Sequence, residues 1–275
     1  SIKPTTTLKS FWIARFFRLW PVYLISIFFA VILGVEAASS LTKFDILINA
    51  TMLQQFLKIP NVLGVFWTLQ IELSFYFILS VMLLLKISND RKKIDIAMYI
   101  FFLLAMIFAV FKFRTNIRFP VAFPLALGLM FFATGLRFRR VNNEPFPFRI
   151  LFIVFFVIVL TSYLGYQVKP MDLFNDNPYR WMLAYSISVL LFLIFERIKF
   201  VPNFFVFIGT ISYSVYLFHP IVLHFFESTK NILLRSFLVV MLTIVISALL
   251  YYLVEKPCQN FGKKINRTAY FRQEA

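Results

Sequence analysis

Ser-Phe-Leu-Val-Val-Met-Leu-Thr-Ile-Val-Ile-Ser-Ala-Leu-Leu-Tyr-Tyr-Leu-Val, residues 236–254, carries no charge, and its only polar groups are hydroxyls. As a helix rising 1.5 Å per residue it reaches ~28 Å, close to the ~30 Å hydrocarbon core of a bilayer. The apolar residues are continuous rather than alternating, which argues against a transmembrane β-barrel. The rest of the chain has the same character. Of its 275 residues, 61% are hydrophobic and 15% are charged, and the mean hydropathy is +0.82. A soluble domain runs at about 45–50% apolar and about 25% charged. A soluble fold of this length lacks the core volume to hide so much apolar surface. The expected fold is therefore all-α, a polytopic membrane helix bundle.

Cutting the chain at its charges gives eight candidate spans: Leu19–Val35, Val62–Leu85, Ile96–Phe111, Phe119–Leu136, Ile150–Val168, Trp181–Phe195, a run within Phe200–Phe226, and Ser236–Val254. A further piece, Ile46–Leu57, carries Asn49, Gln54 and Gln55. It would reach only ~18 Å as a helix, so it reads as a re-entrant or interfacial helix. Lysine and arginine number 28 against 12 acidic residues. In a membrane protein that excess follows from the positive-inside rule, so the lipid bilayer is the expected partner and nucleic acid is not. With eight spans, 19 of the 28 basic residues fall on one side; if Ile46–Leu57 also crossed, the split would be 12 against 16. Eight spans with both termini cytoplasmic is the preferred topology. No repeat or long linker divides the chain, so residues 1–275 read as one integral-membrane domain. The opening Ser1-Ile-Lys-Pro4 has neither an initiator methionine nor a signal pattern, and reads as beginning partway through something. Cys258 is alone and histidines number 2, which excludes a disulfide scaffold and makes no metal centre expected. Cys258 reads as a reduced thiol. Gly128 and Gly135, seven apart, share a face suited to close helix packing.

A few residues stand out from this background. Glu72, in Phe66-Trp-Thr-Leu-Gln-Ile-Glu72-Leu-Ser-Phe-Tyr76, is an acid inside a span, which costs about 2.5–3.5 kcal/mol at the bilayer centre. It reads either as a structural hydrogen-bond or ion-pair partner or as a site carboxylate lining a cavity. Tyr76 follows one turn later on the same face. His219 ends the hydroxyl-rich run Gly209-Thr-Ile-Ser-Tyr213-Ser-Val-Tyr216-Leu-Phe-His219. It reads as a satisfied structural side chain or as an acid, base or substrate-orienting group, at a depth similar to Glu72. His224 reads as interfacial. Arg15 and Arg18 are three apart at the expected cytoplasmic mouth of the first span. They fit snorkelling anchors or bidentate ligands for a phosphorylated donor. Arg137, Arg139 and Arg140 read chiefly as positive-inside anchors. Glu255, at the expected inner boundary, reads as the partner of a nearby base, and Pro257 as the end of the last helix.

Four segments in this order resemble acyltransferase family 3, the bacterial membrane O-acyltransferases that modify surface and secreted glycans. They are Arg15-x-x-Arg18-x-x-Pro21-x-Tyr23, Trp67-Thr-Leu-x-x-Glu72-x-x-Phe75-Tyr76, Ile211-Ser-Tyr213-Ser-x-Tyr216-Leu-x-His219, and Glu255-Lys-Pro257. The resemblance spans essentially the whole chain. It implies a helical bundle with no bound cofactor that takes an acyl group, usually acetyl, from acetyl-CoA as donor substrate and places it on a hydroxyl of a glycan or lipid-linked sugar. Family members have about ten spans. The first carries a basic residue followed eleven positions later by a histidine regarded as catalytic, and the second a Phe-Phe and Ser-Gly signature. Neither pattern occurs here, so the chain resembles the family from its third span onward. The principal base is then assigned to no residue of this sequence, and little activity is expected of the chain alone.

The chemistry itself makes demands on the residues present. A sugar hydroxyl is a poor nucleophile, so a base must take its proton as the thioester is attacked. The developing oxyanion needs donors in a low-dielectric cavity. The expected assignments are Glu72 and His219 as catalytic groups, Arg15 and Arg18 as donor-binding groups, and Trp67, Tyr76, Tyr213 and Tyr216 as pocket walls. Two other readings stay open at this point. In a proton-coupled transporter, Glu72 and His219 would carry protons; the third reading is an inactive membrane remnant.

Overall fold

The computed structural model describes residues 7–117, 119–167, 177–198 and 200–271, and among them there is no strand. In chain order the helices are α1 (Leu8–Ile32), α2 (Lys43–Ala50), α3 (Trp67–Leu84), α4 (Arg91–Thr115), α5 (Ala122–Val141), α6 (Phe148–Gly165), α7 (Pro178–Arg197), α8 (Asn203–Phe225), α9 (Ile232–Leu250) and α10 (Lys256–Phe271). Eight helical segments among the described residues are long and apolar enough to cross a membrane, as the charge spacing predicts. Ser1–Pro4 and Val168, the expected end of its span, lie outside the described residues.

The helix ends differ from the predicted ones in a consistent direction. Helix α1 starts at Leu8 rather than Leu19, α4 at Arg91 rather than Ile96, and α5 continues to Val141 through Arg137, Arg139 and Arg140. A charge ends an apolar run but not a helix, because long cationic side chains carry their heads outward while the backbone stays helical. Capping residues set the true starts. The side chains of Thr7, Asp90, Asn177 and Asn231 accept first-turn N–H groups of α1, α4, α7 and α9, and each such cap is worth about 1 kcal/mol.

The chain packs as two compact units, one of residues 1–80 and 201–275, the other of residues 81–200. In the first unit, Ile46–Leu57 does not form a span. Helix α2 stops at Ala50, and residues 51–58 are almost entirely turns. Buried Asn49 holds this bend shut: its Nδ2 donates to Asp45 O (2.9 Å) and Pro60 O (3.0 Å), and its Oδ1 accepts from Val62 N–H (3.0 Å). Helix α1 anchors it, with the Tyr23 hydroxyl donating to Asn49 O (2.7 Å) and Trp20 Nε1 donating to Ala50 O (3.2 Å).

The end of the chain corrects the expectation for Pro257. A π turn over Tyr251–Glu255 joins α9 to α10, and the helix continues to Phe271. Lys256 N–H bonds to Tyr251 O, five residues back. The ladder is thus already displaced where Pro257, with no N–H to give, enters the second position of a new helix, and there proline is tolerated. Helix α10 then runs antiparallel along the first half of α1. Gly262 lets it approach, since a Cβ there would meet the Phe17 ring at 3.0 Å, and Asn266 Nδ2 donates to Ser10 O (3.0 Å).

In the second unit, Gly128 and Gly135 both face α4. Gly128 lies against the Phe102 ring, and a Cβ at Gly135 would meet Asp95 Oδ1 and an Arg139 guanidinium nitrogen, each at 3.1 Å. The Phe101 and Phe131 rings stack beside them at 5.7 Å. Buried Lys112 lies over the Tyr166 ring (5.2 Å), which stacks in turn on Trp181 (4.9 Å).

Candidate functional site

The candidate residues lie in the first unit, and contacts among three helices fix their levels. Helix α1 runs antiparallel to α3, with Phe11 beside Tyr76 (6.0 Å) and Tyr23 beside Phe66 (4.6 Å). It runs parallel to α8, with Leu19 O accepting from the Tyr213 hydroxyl (2.8 Å) and Phe29 beside Phe218 (6.1 Å). Helices α3 and α8 are therefore antiparallel to each other. Their register is set where the Tyr216 hydroxyl bonds to the Thr68 hydroxyl and donates to Val65 O (2.6 Å).

Glu72 lies one turn from Thr68, and Tyr213 one turn back from Tyr216, so both stand at nearly the same level. The Tyr76 hydroxyl donates to Glu72 Oε1. The Arg15 guanidinium lies over the rings of Tyr76 (4.6 Å) and Phe11 (5.0 Å). Its Nε is buried without a hydrogen-bond partner. Arg18 is exposed on α1, yet lies within electrostatic range of Tyr76, Tyr213 and Glu255. Neither arginine is at the mouth of its helix. They are seven and ten residues past Leu8, or ~10 and ~15 Å along the axis, because α1 begins well before the charges do.

Sequence reasoning undervalued Glu255. It is packed within the bundle, 4% exposed, where α10 carries the chain onward past it. Its direct partners are neutral rather than basic: Oε2 accepts from the Ser214 hydroxyl (3.0 Å) and Oε1 from Gln259 Nε2 (3.0 Å). The signal available was Glu255-x-x-x-Gln259, a carboxylate and an amide one turn apart.

His219 is half-buried on α8, one turn beyond Tyr216. The contact ladder places it ~10 Å along the helix axes from Glu72, so the two do not share a depth. Its Nδ1 is 2.9 Å from Tyr216 O. A carbonyl only accepts, so Nδ1 carries the hydrogen, and Nε2 of the neutral ring keeps its lone pair. Trp67, the first residue of α3, is half-buried and enters none of these bonds. His224 is 3.6 Å from Glu227 at the far end of α8. Among the described residues, no cluster of His, Cys, Asp and Glu is placed to hold a metal ion.

The arrangement gathers two carboxylates, two guanidiniums and three phenols along α1 inside a membrane-spanning bundle. Such groups are expensive in lipid and line functional cavities. Compared with known proteins, residues 1–252 match the acyltransferase family 3 model, described as an acyltransferase domain. No curated protein and no solved structure matches the chain.

Proposed function

Because the chain belongs to acyltransferase family 3, we propose that it moves an acyl group, acetyl from acetyl-CoA, onto a hydroxyl of a cell-surface or exported glycan. The observation that carries this reading is Arg15 laid over Tyr76, whose hydroxyl is tied to Glu72. With no carboxylate bonded to it among the described residues, the guanidinium keeps donors for an anionic substrate. The phosphates of CoA suit Arg15 and Arg18, because guanidinium pairs with phosphate through parallel hydrogen bonds. Glu72, through Tyr76, is the positioning residue that fixes the face on which Arg15 rests. Tyr213 and Tyr216 stand where α8 meets α1 and α3, and they and Trp67, at the start of α3, are the side chains we assign to the walls of the substrate path.

The transfer needs one base. The acceptor hydroxyl oxygen attacks the thioester carbonyl and its proton passes to the base. The C–S bond then breaks and the CoA thiolate leaves, taking up a proton. His219 Nε2, with its lone pair free, is the group of this chain suited to that proton. It stands toward the opposite membrane face from Arg15. The thioester, at the tip of the long pantetheine arm, would have to reach past the level of Glu72, with the donor entering from the cytoplasm and the acceptor from across the inner membrane.

Labelled acetyl-CoA supplied to the cytoplasmic face of membrane vesicles holding the chain is the test: label left on glycan, against the low activity that the resemblance alone implies, would make His219 the base. Movement of a solute without acyl transfer would overturn the reading in favour of a transporter. The orientation has its own test. On a Cys258→Ser background, Asn89→Cys is expected to stay unlabelled by a thiol reagent confined to the outside, and labelling there would reverse the topology.

A further inference from the structure

At one end of the second unit, where α4 and α6 begin and α5 and α7 stop, two adjoining clefts share Arg139 and Glu144. The larger, about 630 Å³, adds Arg91 and Arg149 to its wall. That size falls within the roughly 300–1,000 Å³ of small-molecule sites. The smaller adds Arg140, Arg197 and Glu196. Five arginines thus face two glutamates. The glutamates are already engaged, Glu144 with Arg91 (3.0 Å) and Glu196 with Arg140 (3.4 Å). Arg139, almost fully buried, is matched by Asp95 beneath the clefts. Arg197 lies over the Phe146 ring (5.1 Å), and Arg149 pairs with no acid among the described residues.

We infer that these clefts hold the phosphate headgroup of an anionic glycerophospholipid from the surrounding bilayer. The wall carries a surplus of guanidinium, the group best suited to phosphate oxygens. It lies at the ends of membrane-spanning helices, the level at which headgroups stand, and basic pockets between such helices select anionic lipids. The first turn of α6 completes the rim without a side-chain cap or an acidic residue, leaving its dipole positive toward the cleft. The acyl chains have a track as well. Phe148, Phe152 and Phe156, at 72%, 74% and 54% exposure, follow one another every four residues down α6 from the cleft. A free anion would use the arginines but not that stripe.

The test uses the full chain purified in detergent, with phosphatidylglycerol, phosphatidylcholine and inorganic phosphate as probes, followed by native mass spectrometry and thermal unfolding. Phosphatidylglycerol is expected to bind and raise the unfolding temperature, phosphatidylcholine to do neither, and millimolar phosphate not to displace the lipid. The double variant Arg140→Gln, Arg149→Gln is expected to weaken phosphatidylglycerol about 25-fold, at about fivefold per arginine. Glu144→Gln removes a competing carboxylate and is expected to tighten it. Equal binding of phosphatidylcholine, or displacement by phosphate alone, would overturn the lipid assignment. If the double variant fails to fold, Glu144→Gln decides alone, and unchanged affinity there would overturn the site.

Discussion

The two units of this chain satisfy the carboxylates inside or between their helices in different ways. In the second, charges meet directly: Arg139 with Asp95, Arg91 with Glu144, Arg140 with Glu196. In the first, the carboxylates are held by neutral donors, Glu72 by Tyr76 and Glu255 by Ser214 and Gln259. Arg15 and Arg18 stand in electrostatic range of that cluster without an ion pair to either carboxylate among the described residues. A closed ion pair has little left to offer a substrate. A guanidinium resting on aromatic faces is held in place while its N–H donors stay available. An arginine closed on a carboxylate, such as Arg139, thus serves as fastening, while one resting on aromatic faces, such as Arg15, stays available to a ligand.

The sharpest way to break this comparison is Asp95→Ala. It leaves Arg139 buried beside Gly135 without a counter-charge, and the expected loss is about 3–5 kcal/mol of stability, read by unfolding in detergent. Adding Arg139→Met should restore most of it, since an apolar pair of similar volume replaces a buried ion pair at little cost. A loss below about 1 kcal/mol would remove the distinction between the units. The counterpart in the first unit is Glu72→Gln. Its amide oxygen still accepts from Tyr76, so stability should change by less than about 1 kcal/mol. Acyl transfer should fall about 100-fold because the negative charge beside Tyr76 and Arg15 is lost, with partial recovery in Glu72→Asp. Turnover near that of the unaltered chain would leave Glu72 as a helix-packing acceptor.

The span count was legible because bilayer thickness and helix rise leave little freedom, and the charge asymmetry separated Ile46–Leu57 from true spans. Helix ends were not legible from charge. Arg15 and Arg139 are helical residues inside bundles, and only caps such as Thr7 and Asp90 mark the real starts. Glu72 and Tyr76 were paired correctly because their spacing is local. The level of His219 against Glu72 was not readable, since it depends on a register set by Tyr216, Thr68 and Val65, far apart in sequence. The neutral partners of Glu255 were not readable for a related reason. Pro257 reads as a stop unless the π turn before it is known, and nothing in Tyr251–Glu255 announces one.

The arginines sharpen the comparison next. Arg15→Gln and Arg18→Gln should each weaken acetyl-CoA binding by about 2 kcal/mol, the value of a charge-assisted contact. The yield of folded protein should change little, because neither arginine neutralises a buried acid by direct pairing. Calorimetric titration of the donor beside detergent yield separates the two effects. Unchanged affinity would make both residues anchors of α1.

The smallest expected effect is at Tyr213, where the hydroxyl joins α8 to α1 through Leu19 O. Leu19 O lies within α1, so the helix ladder continues to serve it when the phenol is removed. Tyr213→Phe keeps the ring and its packing and deletes one donor. No buried group is left without a partner, so the loss belongs at the low end of the usual range, about 0.5–1 kcal/mol. Tyr216→Phe should cost more, because that hydroxyl holds both Thr68 and Val65 O. Unfolding in detergent ranks the two variants, and acyl transfer measured well below the unfolding temperature separates strut from pocket. If Tyr213 is only a strut, transfer should follow stability and stay within about twofold of the unaltered chain. A tenfold loss of transfer with stability intact would show that its hydroxyl meets the substrate. The neutral bonds of the first unit would then be part of its chemistry as well as its frame.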